Sequence, residues 1–167
     1  GLIDRLGLLV LHKACETAQQ WPSIKLSVNI SPVQFRNPAF SGHIADILDA
    51  TQTPPERLRL EMTEGYFIQH PERASAAIDK LKQLGLHIAL DDFGRGLSSL
   101  TYLKSLSVSH LKIDGELVRD LAGNPRSQAM VTAIVQLAQA MKLKTTAECV
   151  ESEAIMSTVA KLGVDYG

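Results

Sequence analysis

The chain has 167 residues, 45% of them hydrophobic and 21% charged, and a formal net charge of −1. That is globular composition, sufficient for one domain with a core of its own. The near-neutral balance argues against a DNA-binding stripe or a disordered acidic tail, and no apolar run approaches the ~18 residues of a membrane span, so no DNA binding and no membrane contact are expected of this domain.

In chain order, strand and helix patterns alternate. Leu2, Ile3, Leu6, Leu9, Val10, Ala14 and Ala18 recur at helical spacing, and Trp21 and Pro22 end that segment. Lys25 to Ile30 alternates with period two and reads as a strand closed by Ser31 and Pro32; a helix follows around Gly42 to Ala50, then a break at Pro54 and Pro55. Leu58 to Met62 is a second strand. Pro71 to Leu84 is a helix with Ala74, Ala77, Ile78, Leu81 and Leu84 on one face, and Gly85 is its expected stop. Leu86 to Leu90 is a third strand, and Ser98 or Ser99 is expected to cap a short helix through Leu103 and Leu106. His110 to Asp114 is a fourth strand and Ser127 to Met141 a helix with Met130, Ile134, Leu137 and Met141 in register. Lys144 to Glu148 is a fifth strand, and Glu153 to Leu162 a last helix.

Regular alternation of this kind predicts parallel βα units, in a doubly wound sheet or a (β/α)8 barrel. A complete barrel takes ~250 residues. The chain opens at Gly1 almost inside a helix and stops at Gly167 where a further strand is starting. The expectation is therefore a partial domain over 1–167, continued at both ends. Cys15 and Cys149 are too few for a disulfide framework; both are expected to be reduced, buried and cytoplasmic, and no secretory leader is visible.

Side chains of a strand alternate between its faces. Leu26, Val28 and Ile30 therefore oppose Asn29; Leu58, Leu60 and Met62 oppose Glu61; Leu86, Ile88 and Leu90 oppose Asp91; Leu111 and Ile113 oppose Lys112; Ala147 opposes Glu148. Each strand carries one polar residue at or near its C-terminal end, where barrel enzymes build their sites, and Asp92 follows Asp91 at once. Taken singly, each has an ordinary reading: a cap, a turn, an exposed edge lysine. Their shared parity points instead to one polar cluster. Like charges ~4 Å apart cost ~4 kcal/mol per pair at an effective dielectric near 20, so four carboxylates beside one lysine require cations. Oxygen ligands of this type suit Mg²⁺ or Mn²⁺, and a pair of such ions hydrolyses phosphate esters. An enolase-type lyase or racemase barrel would also place acids and a lysine at strand ends. His87 reads as a hydrogen-bonded core residue below this cluster, and His12, His43, His70 and His110 lack metal-ligand spacing.

The motifs resemble the EAL family of cyclic di-GMP phosphodiesterases over essentially the whole chain. Val28 to Ser31 is similar to the family's N-x-S strand end, and Leu60 to Glu64 to its E-x-T-E motif. Asp91-Asp92-Phe93-Gly94-Arg95-Gly96-Leu97-Ser98-Ser99-Leu100 resembles D-D-F-G-T-G-Y-S-S-L, a specific signature that argues against the enolase type. Leu111 to Asp114 and Ala147 to Glu151 resemble L-K-I-D and A-E-G-V-E. The resemblance implies a TIM-like barrel with one reversed strand and hydrolysis of cyclic di-GMP to linear pGpG. It implies two Mg²⁺ or Mn²⁺ ions on Asn29, Glu61, Asp91, Asp92 and Glu148, with Asp91, Lys112 and Glu148 catalytic and Lys112 positioning or deprotonating the attacking water. Glu64 would brace the loop that begins with Phe93 and Gly94, which orders the metal site and a homodimer contact, and Glu151 would be an outer acid. GGDEF or sensory domains, and a membrane tether elsewhere in the protein, are the usual company of such a domain.

Departures from the family pattern are Arg95 and Leu97 for Thr and Tyr, and Cys149 for Gly. The E-A-L strand with its ligand Glu, and a later substrate-contacting Gln, fall outside residues 1–167. The competing reading is a receptor that binds cyclic di-GMP without turnover.

Overall fold

A computed structural model of the chain describes residues 1–65, 71–95, 103–104 and 106–167. Its elements are α1 (Leu2–Ala18), β1 (Leu26–Asn29), α2 (Pro32–Phe35), α3 (Phe40–Thr51), β2 (Leu58–Thr63), α4 (Pro71–Gln83), β3 (His87–Phe93), β4 (His110–Ile113), α5 (Gly115–Arg119), α6 (Pro125–Ala140), β5 (Lys144–Ala147) and α7 (Glu153–Lys161). The sheet has five strands in chain order, β1-β2-β3-β4-β5. Among the described residues no helix is long and apolar enough to cross a membrane. The expected short helix with Ser98 or Ser99 as its cap lies mostly outside the described residues.

The described residues divide into two compact units, one holding everything up to Ile88 together with 103–104 and 106–107, the other holding 89–95 and 108–167. In the first unit β1 and β2 pair in parallel, with Leu26 opposite Leu58 and Asn29 opposite Glu61. Leu58, Leu60 and Met62 of β2 are buried with Ile44, Ile78 and Leu81 of the helices. Ser31 does more than end a strand. Its side chain accepts from the Val33 amide while the Gln34 side chain accepts from the Ser31 amide, and Pro32 occupies the first helical position, so a capping box opens α2. Gly85 adopts φ +91°, and its amide bonds to Lys82 O while that of Leu86 reaches Leu81 O; this closes α4 as expected.

The first helix forms where its spacing places it but buries a different stripe. Leu11, Cys15 and Ala18 are buried, whereas Leu2 and Leu9 are 86% and 65% exposed. The helix carries two apolar faces, and periodicity alone cannot choose between them. Its C-terminal end is tied by Arg57, whose guanidinium donates to the carbonyls of Ala18, Trp21 and Ile24 at 2.7–2.9 Å. The carbonyls of Ala18 and Trp21 also accept backbone bonds from the Trp21 and Ile24 amides, so the guanidinium adds a second donor at the helix end and in the loop after it.

In the second unit β3 pairs with β4 and β4 with β5, all parallel. Leu90, Phe93, Leu111, Ile113, Val118 and Val131 are buried among these elements. Helix α6 starts two residues earlier than its apolar pattern suggests, because Asn124 caps the amides of Arg126 and Ser127 and Pro125 takes the first position. Val131, Ile134, Val135 and Ala138 are its buried face, and Met130 points outward at 41% exposure. Beyond β5, Tyr166 bridges Thr146 in parallel, with its amide on Thr145 O and its carbonyl accepting from Ala147, so the chain end does begin a further strand pairing.

His87 supplies a pH test of the first unit. Burial, followed by the cations Lys25 and Arg59, lowers its pKa below the ordinary 6.5. The unfolded chain therefore takes up the proton first, and stability falls as pH drops below that ordinary value while showing no dependence on His87 above it. His87→Gln is expected to shrink the loss of urea-midpoint stability between about pH 7 and about pH 5. An unchanged pH slope in the variant would show that His87 is not the group responsible.

Candidate functional site

Strand β3 runs three residues beyond its apolar core, through Asp91 and Asp92 to Phe93. Against β4, Leu90 pairs with Leu111 and Phe93 with Ile113, so two residues on β3 face the single Lys112. That extra residue is a β-bulge, a device that re-aims side chains near sites. Asp92 takes φ +56°, a left-handed conformation that Asp tolerates better than most residues. In a regular strand adjacent side chains point to opposite faces. The bulge cancels that alternation, and ligand oxygens of Asp91, Asp92 and Glu148 lie within 4.8 Å of one another.

Lys112 sits among them. Its Nζ is 2.9 Å from Asp91 Oδ1 and 2.7 Å from Glu148 Oε1. The ammonium and the Asp91 carboxylate are each 13% exposed and the Glu148 carboxylate 29%. Among the described residues one positive charge meets three carboxylates, an excess of two negative charges in a place where water screens poorly. The chemistry of the donor set fits a hard divalent cation: oxygen donors, excess negative charge and partial burial.

The backbone behind the cluster is specific. The Glu148 amide donates to Ile113 O at 3.3 Å, which holds the end of β5 beside that of β4. Asp114 does not extend β4 but caps α5, accepting from the Glu116 amide at 2.9 Å. Cys149 is at φ +56°, a conformation that costs a non-glycine residue ~1–2 kcal/mol; this is a physical reason for the family's glycine there. The Cys149 thiol is half-buried, contrary to the expectation of a core residue, while Cys15 is buried and its thiol pKa is pushed up by that burial. Arg119 donates to Cys149 Sγ at 3.0 Å and to Glu151 Oε1 at 3.3 Å. Glu151 is thus an exposed partner of Arg119 and lies outside the three-carboxylate cluster. Gly94 combines φ +97° with tight packing, since a Cβ there would come within 2.8 Å of Leu117 Cδ1.

The remaining candidates lie in the first unit. Asn29 ends β1, is exposed, and pairs in register with Glu61 of β2, which is buried. Glu64 is buried just past β2. Leu97 lies outside the described residues, and Arg95 pairs with Glu116 at 3.8 Å.

Parallel βα units that carry an acid–lysine cluster at the C-terminal ends of β3, β4 and β5 place the chain among TIM-barrel-type α/β proteins. More narrowly, it belongs to the EAL domain family, whose profile matches residues 1–167. It is 35% identical over 98% of its length to the bifunctional diguanylate cyclase/cyclic di-GMP phosphodiesterase MucR of Pseudomonas aeruginosa, covering 24% of that protein. To the cyclic di-GMP phosphodiesterase PdeF of Escherichia coli it is 32% identical over 99% of its length, covering 23% of PdeF. The MucR phosphodiesterase structure in complex with c-di-GMP superposes with a TM-score of 0.92, at 35% identity, over 98% of this chain and 68% of that one. The manganese/c-di-GMP complex of Klebsiella pneumoniae BlrP1 superposes with a TM-score of 0.89, at 28% identity, over 96% of this chain and 42% of that one. The chain spans 19–24% of the length of such curated relatives.

Lys112→Met tests the charge account. Removing one partner of a buried ion pair costs about 3–5 kcal/mol, and here it leaves three carboxylates facing one another. The variant is expected to lose about 3 kcal/mol in metal-free urea unfolding, and to regain more stability from Mn²⁺ than the parent does. Equal Mn²⁺ effects on both chains would separate Lys112 from the cation site.

Proposed function

We propose that this chain is the core of a phosphodiesterase that hydrolyses cyclic di-GMP to linear pGpG with Mg²⁺ or Mn²⁺ as cofactor. The observation that carries this reading is the cluster itself: Lys112 between Asp91 and Glu148, with Asp92 in reach of both acids. MucR, bound to c-di-GMP in its solved structure, and PdeF, named as a cyclic di-GMP phosphodiesterase, support the substrate; BlrP1, solved with manganese and c-di-GMP, supports the metal class.

On this reading Asp91, Asp92 and Glu148 hold the cations, and Asn29 and Glu61, in register on β1 and β2, are the further ligands that the family resemblance implies. Bound cations would offset the charge of the phosphodiester and favour a deprotonated water at neutral pH. Hydrolysis adds water oxygen to one phosphorus and breaks one P–O3′ bond, leaving a 3′ hydroxyl and a 5′ phosphate. Lys112 donates hydrogen bonds at the centre of the cluster and so orients a water or steadies negative charge that develops beside it. Glu64, buried just past β2, would brace the loop after Asp92, as the family resemblance implies. The Phe93 side chain, 2% exposed, and Gly94 anchor the turn after the two aspartates.

The test uses the full natural chain. Asp91→Asn is expected to lower pGpG formation at saturating Mn²⁺ by more than about 100-fold, beyond the usual effect of losing an outer partner. Thermal melts of the parent should shift further with Mn²⁺ and cyclic di-GMP together than the two separate shifts combined. Near-normal turnover by Asp91→Asn would remove that residue from the site. Tight cyclic di-GMP binding by the parent without any pGpG would establish the receptor reading instead.

A further inference from the structure

The acids of the cluster do not hold themselves in place. Glu148 leaves the end of β5, and the next residue is in a strained left-handed conformation. What restrains this turn is the end of β4 and the start of α5, which touch it at two points. One is the Glu148 amide on Ile113 O. The other is a steric fit between Gly115, the first residue of α5, and Cys149. A Cβ built on Gly115 would lie 2.5 Å from Cys149 Sγ and 3.2 Å from Cys149 Cβ. The cysteine side chain therefore occupies the space that a side chain at 115 would need. Arg119, four residues along the same helix, donates to the sulfur at 3.0 Å and reaches Glu151 with its Nε.

We propose that Gly115 and Arg119 are positioning residues that set the Glu148 carboxylate through Cys149, and with it the affinity of the acidic cluster for a divalent cation. This rests on the assignment of Glu148 as a metal ligand. The argument is one of tolerance. Rotation of the Cys149 side chain could relieve the 2.5 Å contact, at the loss of the Arg119 hydrogen bond. It cannot relieve the 3.2 Å contact to Cβ, which opens when the 148–149 backbone or the facing start of α5 shifts by a few tenths of an ångström. Metal–ligand distances tolerate only about ±0.2 Å, so a displacement of that size at the residue next to a ligand is read out as affinity. The same substitution is favourable for α5 taken alone, because Ala is a better helix former than Gly. A loss on substitution therefore traces to the contact with Cys149 and not to helix propensity.

The experiment is a double-mutant cycle on the full natural chain, read by Mn²⁺ titration and by metal-free melting. G115A is expected to weaken Mn²⁺ binding about 10-fold, in the range of outer-partner losses, without lowering the metal-free melting temperature. In a C149G background, where the obstructing atoms are gone, the same G115A is expected to leave Mn²⁺ affinity within about twofold, the scatter of non-interacting pairs. Should G115A impair folding, Arg119→Gln at an exposed position gives a second reading. Any change in long-range charge is common to both backgrounds, so a larger loss of Mn²⁺ affinity in the parent than in the C149G background supports the proposal. Equal effects in the two backgrounds, for either substitution, would overturn it while leaving the metal site standing. Absence of Mn²⁺ binding by the parent chain would overturn the metal assignment and this inference together.

Discussion

The second unit is organised around an electrostatic constraint: three carboxylates converge, and one ammonium stands between two of them. Lys112 contacts Asp91 and Glu148 at 2.9 and 2.7 Å, and Asp92 adds its charge from the next residue. Groups at such separations repel by several kcal/mol unless a counter-charge intervenes. Packing alone would never select this arrangement, since a buried charge set of this kind is at best neutral for stability against apolar replacements. The proposed function accounts for that cost, and the chain confines the cluster to one place by fixing the ends of three parallel strands.

Much of this was legible in the residues. Period-two alternation placed Asn29, Glu61, Asp91, Lys112 and Glu148 on the polar faces of their strands, and punctuation by Pro and Gly separated strands from helices. The Gly85 stop of α4 shows φ +91°, the conformation the residue type was chosen for. What the alternation rule could not supply was the relation between Asp91 and Asp92, which in a regular strand would point apart. The bulge that brings them together is a property of β3 paired with β4, visible only once Phe93 is found opposite Ile113. Sequence offered one hint: two aspartates followed by Phe-Gly, residues that tolerate a sharp turn.

Helix faces were read less well than strand faces. In α1 the exposed stripe is as apolar as the buried one, and in α6 the buried face falls on Val131 and Val135 while Met130 points outward. A helix shows its core side only through contrast with a polar side, and these two have little contrast. Long-range polar contacts outside the acid–lysine cluster were not legible at all. Arg57 on the carbonyls of Ala18, Trp21 and Ile24, or Arg119 on the Cys149 sulfur, joins residues far apart in the chain with no periodic signature.

The position of Lys112 bears on how the cluster passes between states. An ammonium in hydrogen-bond contact with two carboxylate oxygens occupies the negative end of the field that a divalent cation would seek. It is also the group that makes the acids bearable before a cation arrives. The two roles are in opposition: a lysine held too firmly would exclude the ion, and one held too loosely would leave the acids to repel one another. Lysine suits this compromise better than arginine. Its charge is compact and its four-carbon stem flexible, so it can withdraw from an oxygen by rotation, whereas a planar guanidinium would lock a carboxylate through two bonds. On the proposed reading the acids are therefore kept together by a counter-charge that can give way, and the contacts of Ile113 and Arg119 with residues 148 and 149 keep Glu148 from following it.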